Sequence, residues 1–413
     1  MLTSRMPSAA PVSTAERQYP YWRRNLQVLP FSMMLASLGF GLAWPFLPLM
    51  VRALGVEQNL ETWVGNMVLV FYVVSFVMNP IWGSIADHYG RKIMVLRATL
   101  GMGISMALTA FAPTPLAFAF LLMFVGVFNG ASSASMALIV ANTPPPRIGR
   151  ALSFVQTGSL IGQTMGPAVG ALLASMIERQ HSLYWVSGGF MIVAGILVAT
   201  LVHEVKQLAP GRWRLQWIGP LRELLAVPRM GPLFMLSFLF SALWFGNVPV
   251  MSLFALDLLS AAPPSIGTEA AWLGAVALGL GISGAIAMPI WGRVLDRHDP
   301  ARVLAFATAA AALTQVPLVF LQTPFALVLA RLAFGLSAAA MQPAIIRLLK
   351  DHSPPGMDAR AISYASSFQF IAMGLAPFAA GLIGPAFGLR TYFALTVVLT
   401  VAGLVLWRRS GRA

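Results

Sequence analysis

The chain contains no cysteine, which removes disulfides, thiol nucleophiles and thiolate metal sites from consideration. Histidine is scarce as well. His88, His181, His203, His298 and His352 all fall in or beside polar connections, and no His-Glu-x-x-His pattern or nucleophile elbow is present. Lys92, Lys206 and Lys350 also lie outside the apolar runs, so convergent catalytic groups or metal ligands for an intramembrane enzyme are not expected. No phosphate-cradling loop is evident, so neither nucleotide nor any other cofactor is expected. Charged residues make up only 10% of 413 positions and hydrophobic ones 58%, at a mean hydropathy of +0.77, which excludes a water-soluble domain. A membrane barrel would instead show short alternating strands. Acidic residues are missing from the middle of every apolar run. Glu57, Glu61, Glu178, Asp257 and Glu269 gather toward one side and the other eight toward the opposite side, which disfavours a simple buried-carboxylate relay.

What the chain does have is long apolar runs. They predict helices near 28–51, 63–83, 93–111, 116–141, 151–177 and 184–202, then near 231–255, 270–292, 301–321, 325–347, 361–384 and 391–407. This is an all-α membrane protein of six plus six spans. The expected organisation is a tail at 1–27, a bundle at 28–202, a linker at 203–229, a second bundle at 230–407 and a tail at 408–413. The linker interleaves Arg212, Arg214 and Arg222 with Trp213 and Trp217, as a basic amphipathic segment on the membrane surface would. The first run is too long for a signal segment and lacks a small-residue cleavage site, so it reads as a retained helix after the interfacial anchor Tyr21-Trp22-Arg23-Arg24.

The formal charge of +14 records topology rather than a nucleic-acid partner. With the amino terminus in the cytoplasm, about 23 of the 27 Lys+Arg residues fall in cytoplasmic connections, tails or their membrane edges, while the other side keeps Arg52, Arg179 and Arg390. Both termini are therefore expected in the cytoplasm.

The halves repeat in register. Pro80-Ile81-Trp82-Gly83-Ser84-Ile85-Ala86-Asp87 recurs as Pro289-Ile290-Trp291-Gly292-Arg293-Val294-Leu295-Asp296, and Arg150-Ala151-Leu152-Ser153-Phe154 recurs as Arg360-Ala361-Ile362-Ser363-Tyr364. Two such matches imply bundles related by an axis along the membrane normal, with a substrate site near mid-membrane between them.

The stretch Gly83 to Lys92, with Asp87, Gly90 and Arg91, resembles the signature between the second and third helices of the major facilitator superfamily; Gly292 and Asp296 form its degenerate second copy. Gly83 permits close helix approach, Asp87 can cap a neighbouring helix, and contacts made in one state and broken in another would form a gating latch. In the fifth helix, Gly158, Gly162, Gly166, Pro167 and Gly170 make a small-residue stripe ending in Gly-Pro. That stripe resembles the motif of the drug/proton antiporter branch, and Trp22-Arg23-Arg24-Asn25-Leu26 with Pro45-Phe46-Leu47-Pro48-Leu49 resembles the opening of bacterial multidrug efflux members. The branch's basic residue in the fourth helix is replaced by Leu122, whereas the second half carries Arg331-Leu332-Ala333-Phe334-Gly335. Arg331 lies about 10 Å into its helix, at a depth where a charge usually faces a cavity or a partner.

Candidate cavity residues are Trp44, Phe71, Tyr72, Asn129, Gln163, Trp244, Asn247, Arg331, Gln342 and Gln369, an aromatic set with a few amides and no fixed carboxylate. The resemblance implies export of hydrophobic or amphiphilic small molecules across a bacterial inner membrane by alternating access, with protons as the coupling ion; an uptake or siderophore-type permease is the alternative. A channel is disfavoured, because the twofold repeat serves alternating access.

Overall fold

A lipid-embedded backbone must satisfy its own hydrogen bonds, and runs of this length do so as helices. The computed structural model describes residues 19–144, 147–176, 181–204, 218–261, 267–354 and 357–410, and these are helical with no strand among them. In the first half, α1 (Trp22–Ala43) passes through a 3-10 turn (Trp44–Phe46) into α2 (Leu47–Ala53). Then come α3 (Leu60–Tyr89), α4 (Arg91–Thr109), α5 (Pro115–Phe128) leading into α6 (Ala131–Ala141), α7 (Ile148–Met176) and α8 (Ser182–Leu201). After the short α9 (Ile218–Leu225), the second half runs through α10 (Met230–Ser241), a π-helical turn (Ala242–Gly246), α11 (Asn247–Ala261), α12 (Glu269–Arg297) and α13 (Pro300–Gln315). It ends with α14 (Pro324–Ala338) leading into α15 (Met341–His352), then α16 (Asp358–Phe387) and α17 (Leu389–Ser410).

Eleven of these passes are long and apolar enough to cross a bilayer by length and composition. The remaining one, α7, has 29 residues but carries the Gly, Ser, Thr and Gln that lower its hydropathy. The repeat extends to the caps. Thr114 and Thr323, 209 residues apart, each accept a hydrogen bond from a backbone amide three residues on, Ala117 and Ala326, and each precedes a proline at the first helical position. Both fourth-type helices are interrupted at matching places, after Phe128 and after Ala338, where continuous spans over 116–141 and 325–347 were expected.

Two further boundaries differ from expectation. The first helix starts at Trp22 rather than 28, because Trp22 is buried beneath the Arg147 guanidinium, 4.6 Å from its ring, which fixes the first turn. The expected connection after residue 83 is helical to Tyr89 and reverses at the single residue Gly90, whose φ of 101° suits glycine. The linker reading at Arg212 to Trp217 lies outside the described residues.

Three cores show how the halves meet. One joins both bundles at the Lys/Arg-poor end, including Met50, Val64 and Leu183 from the first and Val250, Leu273 and Phe393 from the second. Toward the Lys/Arg-rich end it gives way to two separate cores, around Leu29, Leu138 and Val198 in one bundle and Met230, Leu304 and Trp407 in the other. Large apolar side chains such as Val77, Ile104, Phe120, Leu172, Ile286 and Phe306 stand exposed on the outside, as a lipid-facing surface requires.

The α7 stripe packs on α1 backbone to backbone. A Cβ at Gly158 or Gly162 would sit 2.1 Å from the carbonyl oxygen of Pro30 or Met34, and one at Gly170 would sit 2.4 Å from that of Leu42. Gly292, by contrast, would meet nothing within 4 Å. Gly162→Ala is therefore expected to destabilise the fold by about 1–3 kcal/mol through overpacking, while Gly292→Ala leaves the thermal midpoint of the purified protein unchanged.

Candidate functional site

Between the bundles, near mid-helix, lies a cavity of about 100 Å³. Its first-half wall is Phe40, Gly41, Trp44, Pro45, Tyr72, Leu160, Gln163, Thr164 and Pro167; its second-half wall is Trp244, Phe245, Val248, Ala277, Leu280 and Gly281. Breaks in the two first-type helices place the indoles. Trp44 opens the 3-10 turn and stacks on Phe40 at 4.7 Å, with Tyr72 edge-on at 5.9 Å. Trp244 sits within the π-helical turn, 5.5 Å from Phe240 and 6.1 Å from Phe334, and a side chain at Gly284 would collide with its ring at 2.8 Å. Gln156 and Gln163 are exposed on the α7 face turned away from the lipid-facing Ile161, Met165 and Leu172, so the space between the bundles opens from mid-helix toward the Lys/Arg-rich end.

Of the ten expected cavity residues, Trp44, Tyr72, Gln163 and Trp244 line this space. The others are engaged elsewhere. Phe71 is fully buried behind Trp44 at 5.0 Å. Asn129 closes the α5–α6 break: its Oδ1 accepts from Gly130 N at 2.8 Å and its Nδ2 donates to Ser75 Oγ at 3.2 Å. Asn247 is buried inside the second bundle and accepts from the Tyr392 hydroxyl. Gln369 donates through Nε2 to Gln342 Oε1 and to Ser237 Oγ, both at 2.9 Å, which ties α16 to α15 and α10. Arg331 is 1% exposed and lies one layer behind the cavity wall, with its guanidinium 5.6 Å from the Phe334 ring that touches Trp244. Sequence reasoning missed Phe40, Phe245 and Thr164. Phe40 sits one turn before Trp44 and Phe245 beside Trp244, a spacing that could have drawn them in.

The Lys/Arg-poor end is shut by helix pairs that cross between bundles. A Cβ at Gly65 of α3 would lie 2.5 Å from the Pro377 carbonyl oxygen of α16, and one at Gly274 of α12 would lie 2.4 Å from Ala171 Cβ of α7. Thr62 Oγ1 donates to the Gly381 carbonyl at 2.7 Å. Arg52 Nη2 donates to Glu269 Oε2 across the bundles, beside a 520 Å³ surface recess that also touches Ser175 and Thr268.

At the turn after α3, the side chain of Asp87 and the packing of Gly83 lie outside the described residues. The first turn of α4 is capped by Glu204, whose Oε1 and Oε2 accept from the backbone amides of Arg91 and Lys92 at 2.8 and 2.9 Å. Lys92 Nζ donates to the Ala199 carbonyl at 2.8 Å, and Gly90 leaves room, since a Cβ there would sit 2.9 Å from Glu204 Oε2. Gly292 and Asp296 lie within α12, which ends at Arg297; Asp299 Oδ1 accepts from Ala301 N at 3.0 Å and caps α13. Glu204→Ala should cost about 1 kcal/mol of stability by leaving two amides uncapped, read as a lowered thermal midpoint that Glu204→Gln partly restores.

Comparison with known proteins gives a consistent result. The chain matches the family described as Major Facilitator Superfamily over residues 29–268 and 233–412. It is 30% identical over 389 residues to the multidrug resistance protein MdtG of Salmonella dublin, covering 94% of each chain. It is also 30% identical over 392 residues to MdtG of Serratia proteamaculans, covering 93% of each. Among solved structures, the nucleoside transporter NupG superposes at a TM-score of 0.73 with 16% identity, over 93% of this chain and 99% of that one. The human organic anion transporter MFSD10 superposes at 0.70 with 19% identity, over 94% and 99%.

Proposed function

Because the chain belongs to the Major Facilitator Superfamily, as a transporter related to multidrug efflux proteins, we propose that it exports hydrophobic or amphiphilic small molecules by alternating access, in exchange for protons. The observation that carries this reading is the forked core: the bundles share one core at the Lys/Arg-poor end and keep separate ones at the other. Such a body opens to one side at a time when the shared end parts and the free ends meet. The cavity at the fork offers indole and phenyl faces, the amide of Gln163 and the hydroxyl of Thr164, which suit an apolar body carrying a few acceptors or donors. At about 100 Å³ it is smaller than the roughly 300–1,000 Å³ of a drug-sized site, so substrate entry must widen it.

Proton exchange needs a carboxylate that changes surroundings during the cycle. Glu269 fits, since parting the shared end breaks its pair with Arg52 and leaves it facing the outer side, with Thr268 and Ser175 as its polar neighbours in the recess. A membrane potential of 100 mV adds about 2.3 kcal/mol per charge moved. The positive charge in the connections supports a cytoplasmic open end and cytoplasmic termini.

In a pump-depleted host, expression should lower retention of a lipophilic dye, and an uncoupler should restore it. Raised accumulation, or indifference to the uncoupler, overturns the export reading. Trp244→Ala should cut dye efflux at least tenfold with normal membrane levels of protein. Arg52→Ala and Glu269→Gln should each raise thiol labelling of a cysteine introduced at Ala171, and the double variant should add little, as expected for one shared contact. If Glu269→Gln leaves proton-driven efflux intact, Glu269 is not the coupling group.

A further inference from the structure

The two halves are built alike around α3 and α12, which makes one difference between them informative. In the second half, Trp291 Nε1 donates to the Leu336 carbonyl at 2.8 Å and its ring packs on Phe306 at 6.0 Å. In the first half, 209 residues earlier in each case, Trp82 Nε1 donates to the Val127 carbonyl at 2.7 Å, but its ring carries Arg97, with the guanidinium carbon 4.1 Å from the centroid. Phe306 shows that this position needs no charge for the helices to pack.

Arg97 belongs to the lipid-facing side of α4. Ile93, Ile104 and Leu108 recur with it at helical spacing and are 44%, 53% and 47% exposed, and its counterpart Phe306 is 62% exposed. The helix α3 has 30 residues, about 45 Å against a hydrocarbon core of about 30 Å, so its last turns reach beyond the hydrocarbon. Trp82 and Arg97, some six or seven residues from the Lys/Arg-rich ends of α3 and α4, therefore sit where hydrocarbon meets headgroups, the level of lipid phosphates.

The groups gathered there are short of acceptors. Among the described residues, Arg97 Nε and Nη1 and Asn79 Nδ2 are buried without a hydrogen-bond partner, and every one of these atoms is a donor. They converge on the α5–α6 break. Gly130, at φ 122°, brings the backbone so close that a Cβ would lie 2.9 Å from Asn79 Oδ1 and 3.6 Å from Arg97 Nη2. In the second half Met288 stands in place of Asn79 and alanines occupy the break, so the cluster as a whole is confined to one bundle.

We propose that Arg97 and Asn79, backed by Trp82, bind the phosphate of a phospholipid from the leaflet at the Lys/Arg-rich face. Unpaired donors select an anionic acceptor, a guanidinium suits a phosphate's paired oxygens, and the lipid-facing setting brings that phosphate from the bilayer. The site stands apart from the substrate cavity and does not depend on the export reading.

The test uses the full-length purified protein in a neutral detergent, followed by thermal unfolding and native mass spectrometry. Three probes are added: dioleoylphosphatidylglycerol, dioleoylglycerol with the same chains and no phosphate, and glycerol 3-phosphate with the same headgroup and no chains. The phospholipid alone should raise the midpoint and remain bound. Arg97→Phe copies the arrangement at Phe306, so it should fold normally and bind the phospholipid about tenfold more weakly, the factor expected for losing charge-assisted hydrogen bonds. Asn79→Met, copying Met288, should weaken binding in the same direction and decides the matter if Arg97→Phe does not fold. Unaltered phospholipid binding in either folded variant overturns the proposal, as does equal stabilisation by dioleoylglycerol. Full competition by glycerol 3-phosphate overturns the lipid assignment in favour of a soluble anion.

Discussion

Backbone-to-backbone approach along α7 is the contact on which the rest of the molecule depends. One face of this helix, Gly158 to Gly170, lies against the carbonyls of α1, and another, around Thr164, Pro167 and Ala171, meets Gly274 and Gly281 of α12 across the bundles. Lipid offers no hydrophobic gain for helix association, so small residues that let backbones touch supply the dispersion that holds helices together. The one long pass that is not apolar enough to count as a span by composition thus joins α1 within its own bundle and α12 in the other. Its low hydropathy follows from that role, since surface given to glycine contacts is not given to lipid.

The same contacts set where the molecule can move. Within the first bundle a Cβ on the α7 stripe would fall within 2.1–2.7 Å of α1 backbone or neighbouring carbon, which makes that pair a rigid unit. Across the bundles, the α3–α16 and α7–α12 pairs are close only from the Lys/Arg-poor end to about the level of Tyr72, where Gly374 approaches its Cβ. The aromatic cluster sits at the fork: Trp44 and Trp244 both line the cavity, Trp44 as part of the shared core and Trp244 as part of the second bundle's own core. Any ligand that enters there acts on the contact that holds the bundles together.

The twelve passes were legible because a bilayer demands some twenty apolar residues per crossing, and the repeat fixed their grouping. Trp44, Tyr72, Gln163 and Trp244 were legible as cavity residues because large or polar side chains deep in first-, second- and fifth-type helices have few other places to point. Asn129 and Asn247 misled for a local reason. An amide in a membrane helix is as useful for closing a helix break or receiving a tyrosine hydroxyl as for meeting a substrate, and sequence does not distinguish these uses. Glu204 was hidden because its partners, the amides of Arg91 and Lys92, lie more than a hundred residues away. Arg97 was hidden by its neighbourhood: one more basic residue near a positively charged helix end looks like topology.

Pseudo-symmetry separates scaffold from function more sharply than burial does. Wherever both halves keep the same device, as with Thr114 and Thr323 capping before proline or Trp82 and Trp291 donating to the facing helix, the shared feature is what a six-helix unit needs in order to fold. Arg331 and Arg97 are among the departures from that pattern. Arg331 stands where the first half has Leu122, and Arg97 stands where the second half has Phe306. Each position has an apolar counterpart in an otherwise matching environment, so neither arginine is required by packing, and each bears the cost of holding a cation near hydrocarbon. One lies behind the aromatic wall of the cavity and the other faces the lipid, so the two departures sit in different surroundings, and the repeated remainder is the frame that holds them.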